Sequence, residues 1–221
     1  MLNLFSIFDP NISYMKLNWL SSLILFFFIP QIYWLKISRL IYFFNKFVVF
    51  LWNDFKIVIF NKFNGDNLLF FISLFLFILI NNFMGLFPYI FTSSSHLIFS
   101  LIFSLSMWLS LMIFGWLKNT NFMFIHLVPI GTPFMLMFFM VLIETLSNII
   151  RPLTLSIRLV ANMVAGHLLL TLLSEFIPNF VLFYLIILII QLLLLFLEMA
   201  VSLIQSYVFV ILVVLYLKET N

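Results

Sequence analysis

Three stretches of this 221-residue chain, 19–35, 68–87 and 97–117, contain no Asp, Glu, Lys or Arg. About 20 apolar residues in a helix reach across the ~30 Å hydrocarbon core of a bilayer. A water-soluble fold cannot carry such runs, because only 8% of the residues are charged, against the roughly 25% that cover a soluble domain. In lipid the backbone must satisfy its own hydrogen bonds, which helices do. The chain has room for five or six crossings. The expected fold is all-α integral membrane: one domain over 1–221, with about five transmembrane helices and one interfacial amphipathic helix.

The first span is placed at 19–35, with Pro30 as a kink, and Lys36 and Arg39 follow it at once. Across 37–63, Arg39, Lys46, Lys56 and Lys62 recur among Phe, Val and Trp, the pattern of a helix lying in the interface without crossing. Gly65-Asp66-Asn67 is turn chemistry, and a second span at 68–87 is ended by Gly85 and Pro88. Ser93–Ser95 forms a loop before the third span at 97–117, which Lys118-Asn119-Thr120-Asn121 closes. Pro129, Gly131 and Pro133 then interrupt helix, until Thr132 as N-cap and Pro133 in the first turn start a new one.

From there two helices are expected, at 133–175 and 180–217. Each would be about 60 Å long, twice the hydrocarbon thickness. The usual tilt of ~20° does not absorb that mismatch, so the pair is expected to form a long, strongly tilted hairpin. Pro152 should bend the first arm by removing the hydrogen bond to the Asn148 carbonyl. Basic residues gather after the first span, along the interfacial helix and after the third span, which assigns these regions to one positive-inside face. The N-terminus then lies opposite, and Lys218 and Glu219 return to the basic side.

With no cysteine, any chemistry must come from carboxylates, imidazoles, guanidinium groups and hydroxyls. The small basic excess is not interleaved with solvent-facing polar residues, so a nucleic-acid partner is not expected. His96, His126 and His167 are isolated in three segments and cannot supply paired haem ligands; no cofactor and no metal are expected. Paired broken helices in two halves, the mark of many secondary transporters, are missing, as is a phosphate-binding loop. Residues 1–13 carry Asp9 and no basic residue, so no cleaved leader is expected. The sequon at Asn11 reads as accidental, the many Phe residues as lipid-facing and core filler, and His96 and His126 as interfacial.

The ionisable residues expected at membrane depth lie in the last two helices: Glu144, Arg151, Arg158, His167 and Glu198. Each costs about 2.5–3.5 kcal/mol near a bilayer centre unless it faces protein or water. Glu144, Arg151 and Arg158 recur every seven residues, with Asn148, Asn162 and Gly166 near the same stripe. His167 falls on the opposite side of an ideal helix from Arg158. Gln191, Glu198, Ser202 and Gln205 form a stripe on the last helix, with Glu198 expected at about the depth of Arg158. Two facing polar stripes allow either an aqueous route or a buried ion-pair network.

Several segments carry a family resemblance. They are Pro129-Ile-Gly-Thr-Pro133, Glu144-Thr145, the run from Arg151 through Arg158, Asn162 and Gly166 to His167, and Leu197-Glu198 through Gln205 to Tyr207. Together these resemble the signatures of ATP synthase subunit a. Asn81-Asn82 through Pro88-Tyr89, the opening Asn3 to Pro10, and His167 itself are similar to its mitochondrial branch.

The resemblance implies a non-enzymatic proton-conducting stator in the mitochondrial inner membrane, N-terminus toward the intermembrane space and C-terminus toward the matrix. Its implied partners are a rotating ring of c subunits, other stator and membrane subunits, protons and lipid. Two offset half-channels would be separated by Arg158. Glu198 and His167 would serve the half-channel on the N-terminal side, Glu144 the other, with Asn162 and Gln205 as polar neighbours of Arg158. The alternative from another class is a scaffold subunit in which Arg158 pairs with Glu198 in a buried network.

Overall fold

The charge-free runs at 68–87 and 97–117 fold mainly as helices in the computed structural model, which describes residues 5, 8–11, 17–24, 27, 29, 30, 36–59, 65–128, 133–176 and 184–220. The helices are α1 (Arg39–Val58), α2 (Gly65–Gly85), α3 (Leu97–Lys118), α4 (Thr120–His126), α5 (Phe134–Phe176) and α6 (Tyr184–Thr220). Among the described residues, four helical stretches are long and apolar enough to cross a membrane: Asn67–Gly85, Leu97–Lys118, Phe134–Glu175 and Tyr184–Thr220.

Of the expected first span at 19–35, the described part includes Leu17–Ile24, which forms a 3-10 helix; much of the rest lies outside the described residues. Trp19 of this segment rests on the rings of Phe91 and His96, so His96 is half-buried under aromatic cover. The expected interfacial segment appears as α1. The Ser38 hydroxyl accepts from the Ile41 N–H at its start, and Leu51 and Phe55 bury one face against α2 and α6. Residues 60–63 of that segment, and the Thr132 cap, lie outside the described residues. One element departs from expectation: the polar stretch after α3 does not stay a loop, because Thr120 opens the short helix α4, which ends at the exposed His126.

α5 runs for 43 residues with Pro152 inside it, and α6 for 37, lengths of about 64 and 56 Å. The turn between them lies outside the described residues. Contacts from Gly166 to Glu198, Asn162 to Gln205 and Arg151 to Glu219 show that the two run antiparallel. α3 packs against α5, and α2 against α6. The core joins Leu51 and Phe55 of α1, Phe71, Phe75 and Ile78 of α2, Leu155 and Leu159 of α5, and Phe209, Val210, Val213 and Val214 of α6.

Helices in lipid associate through close packing and interhelical bonds, because the tails are as apolar as leucine. Small buried serines serve that purpose here. Ser100, Ser104, Ser156, Ser202 and Ser206 are each at most 2% exposed, and each hydroxyl donates to the carbonyl three residues back. The helices can therefore approach closely without leaving those hydroxyls unbonded.

Candidate functional site

Glu198 is the buried acid of the hairpin. It lies against Gly166, where an added Cβ would come within 2.9 Å of its carboxyl carbon, so a larger residue there would have to displace the carboxylate. Its side chain opens into a cavity of about 190 Å³ whose walls include Asn82, Asn162, Gly166, Ser202 and Gln205. That volume corresponds to roughly six waters at ~30 Å³ each. Both Glu198 oxygens lack a hydrogen-bond partner among the described residues, as do both amide atoms of the fully buried Asn82 and the Asn81 amide nitrogen. Unsatisfied buried polar groups are rare and costly. Glu198 and Asn82 thus bring four such atoms to residues that line one cavity.

One helical turn from Gly166, the Asn162 amide donates to the Gln205 side-chain carbonyl at 3.1 Å. This bond crosses the hairpin and sets its register; such bonds contribute about 0.6–2 kcal/mol in membranes. His167 points elsewhere. Its ring meets Phe8 edge-on at 6.3 Å, it does not line the Glu198 cavity, and its Nε2 is buried with no partner among the described residues.

Arg158 is exposed on the outer face of α5, where Ile157, Ala161 and Ala165 are exposed beside it. The alternative in which Arg158 pairs with an acid of the hairpin is not seen among the described residues. Arg158 pairs with neither Glu198 nor Glu144 among the described residues; the cation that binds carboxylates is Arg151, to Glu219 at 2.7 Å and Glu144 at 3.8 Å. Along α5, Glu198 stands opposite a later residue than Arg158. It sits level with Gly166, eight residues and about 12 Å farther along α5. The Arg151 pairs are about a third exposed or more, which limits each to roughly 0–1 kcal/mol.

Sequence reasoning missed Asn82 as a cavity residue and Glu219 as an ion-pair partner. Adjacent asparagines inside an otherwise apolar span were the available signal for the first. None existed for the second, since a terminal Glu reads as solvated. Among the described residues, no group of three His, Cys, Asp or Glu could hold a metal ion.

Comparison with known proteins gives a match over most of the chain. A family model described as ATP synthase A chain matches residues 15–218. Proteins called ATP synthase subunit a are 54% identical in Locusta migratoria, over 99% of both chains, and 52% in Drosophila yakuba and 51% in Anopheles gambiae, each over 100% of both chains.

Proposed function

The chain belongs to the ATP synthase A chain family, and we propose that it forms two offset half-channels against a rotor ring of c subunits, with Arg158 between them. The chain is a multi-pass mitochondrial membrane subunit of the ATP synthase with no catalytic chemistry of its own.

The observation that carries the proposal is the exposed Arg158, which forms no ion pair among the described residues. A cation at membrane depth is too costly to face lipid, so a protein surface must cover it, and a carboxylate on that surface would neutralise it. The exposed Ala161 and Ala165 on the same face let a neighbouring helix approach closely. Arginine does not give up its proton in proteins. It favours the ionised rotor carboxylate opposite, yet cannot pass a proton from one half-channel to the other.

The two channel carboxylates flank it along α5. Glu198, level with Gly166, lies about 12 Å to one side, and Glu144 about 21 Å to the other. Glu198, with the Asn82, Asn162 and Gln205 amides around its cavity, receives protons from the intermembrane-space side. His167, on another face of α5, serves the same side by a separate contact. Glu144, beside Arg151 and Glu219 near the basic face, leads protons out to the matrix. Each charge that crosses 100 mV releases about 2.3 kcal/mol to drive rotation. A pure scaffold would need Arg158 satisfied inside its own bundle, and among the described residues no acid of the hairpin forms an ion pair with it.

Proton-driven ATP synthesis by the assembled complex tests the reading. Arg158→Ala and Arg158→Lys should abolish it, and Glu198→Gln should slow proton flux through the reconstituted complex at least tenfold. Synthesis retained in either arginine variant, or flux unchanged in the glutamine variant, refutes the proposal.

A further inference from the structure

Arg151 and Glu219 border the Glu144 exit and touch neither Arg158 nor Glu198, and they make the shorter of the two ion pairs found among the described residues, Nη1 to Oε2 at 2.7 Å. The same guanidinium lies over the Tyr216 ring, 5.5 Å from its centroid. The last turn of α6 therefore grips the residue immediately before Pro152. That turn is also held from behind. Thr220 is 4% exposed, its hydroxyl donates to the Tyr216 and Leu217 carbonyls, and it presses on Gly115 of α3. A Cβ at Gly115 would lie 3.3 Å from Thr220 Cβ and 3.2 Å from the Met123 sulfur. Chain ends ordinarily fray; here the final described turn is clamped between α3 and α5.

The clamp acts at the weakest point of α5. Pro152 supplies no N–H to the Asn148 carbonyl, so the helix bends more easily there than elsewhere. Arg158 lies six residues, about 9 Å, beyond that hinge. A 10° change at the hinge would move its backbone sideways by roughly 1.6 Å, and displacements near 1 Å can cost about a hundredfold in a positioned reaction. Glu144, on the near side of the hinge, holds the same guanidinium only loosely, at 3.8 Å.

We propose that Arg151 and Glu219 are positioning residues that latch the Pro152 hinge and thereby hold Arg158 in place on the outer face of α5. The latch rests on the proton-translocating role of Arg158 given above. Tyr216 and Thr220 support it, and small packing at Gly115 leaves it room.

The test uses intact ATP synthase with Arg158 unchanged and compares Arg151→Glu, Glu219→Arg and the double reversal. The readout is protons pumped per ATP hydrolysed. Each single reversal should lower this ratio at least threefold, and the double reversal should restore at least half of the original value. Single reversals that pump normally, or a double no better than the worse single, overturn the latch.

Should the reversals fail to assemble, Arg151→Cys with Glu219→Cys provides a second arm. The chain has no cysteine of its own, so a short bis-methanethiosulfonate, which forms one disulfide with each thiolate and releases sulfinate each time, bridges only this pair within the subunit. Normal pumping after bridging supports a latch that stays closed in turnover. Pumping that stops on bridging and returns on reduction overturns it. A harmless Arg158→Ala would remove the underlying reading, whereas an inactive Arg158→Ala beside normal latch variants removes the latch alone.

Discussion

Glu198 and Gly166 illustrate how a single pair of residues makes an acid usable at membrane depth. The carboxylate lies so close to the α5 backbone that one methyl group would sit 2.9 Å from its carboxyl carbon. Gly166→Ala improves helix propensity by about 0.8–1 kcal/mol, but crowding a packed site costs about 1–3 kcal/mol. The crowding should win. The expected result is a carboxylate pushed out of register with Asn162 and Gln205, a proton flux at least fivefold slower, and a modestly lower melting temperature of the solubilised complex. Gly166→Val should be worse on both counts, and an alanine variant with full flux would show that this close approach is dispensable. Glu198 was legible in the sequence as a costly intramembrane acid. Its actual neighbour was not, because a polar stripe reveals which face of a helix matters but not which residue of the facing helix stands opposite.

At the level of the element, α5 combines great length with a built-in weak point. A proline within a helix costs about 3 kcal/mol, so Pro152→Ala should leave the complex assembled and no less thermally stable. It should also restore the hydrogen bond to the Asn148 carbonyl and straighten the arm that presents Arg158. We expect the ratio of protons pumped to ATP hydrolysed to fall severalfold; an unchanged ratio would mean that the bend has no part in coupling. The existence of both long helices followed from long apolar sequence, and the described residues place them at Phe134–Phe176 and Tyr184–Thr220. The small helix α4 did not, since polar residues such as Asn119 and Thr120 serve equally as a loop or as a helix start.

For the whole molecule, the proposal that one face meets the matrix rests on the placement of Lys36, Arg39, Lys46, Lys56, Lys118 and Lys218. In a chain without cysteine, Phe87→Cys in the exposed turn after α2 should react with an impermeant thiol reagent from the intermembrane-space side. Lys118→Cys should react only once the matrix face is opened, and the reverse pattern would invert the assignment of the half-channels. Sequence alone determined that the chain is a helical membrane protein and which side chains are too polar to face lipid, because both follow from transfer free energies that each residue carries with it. Only the tertiary structure decided which of those side chains meet. It turned Arg158 outward, left Glu198 in a cavity with Asn82 and without a hydrogen-bond partner among the described residues, and handed the carboxylates Glu144 and Glu219 to Arg151. The reason is that partners across a hairpin are set by helix register and rotation, which depend on packing between residues tens of positions apart.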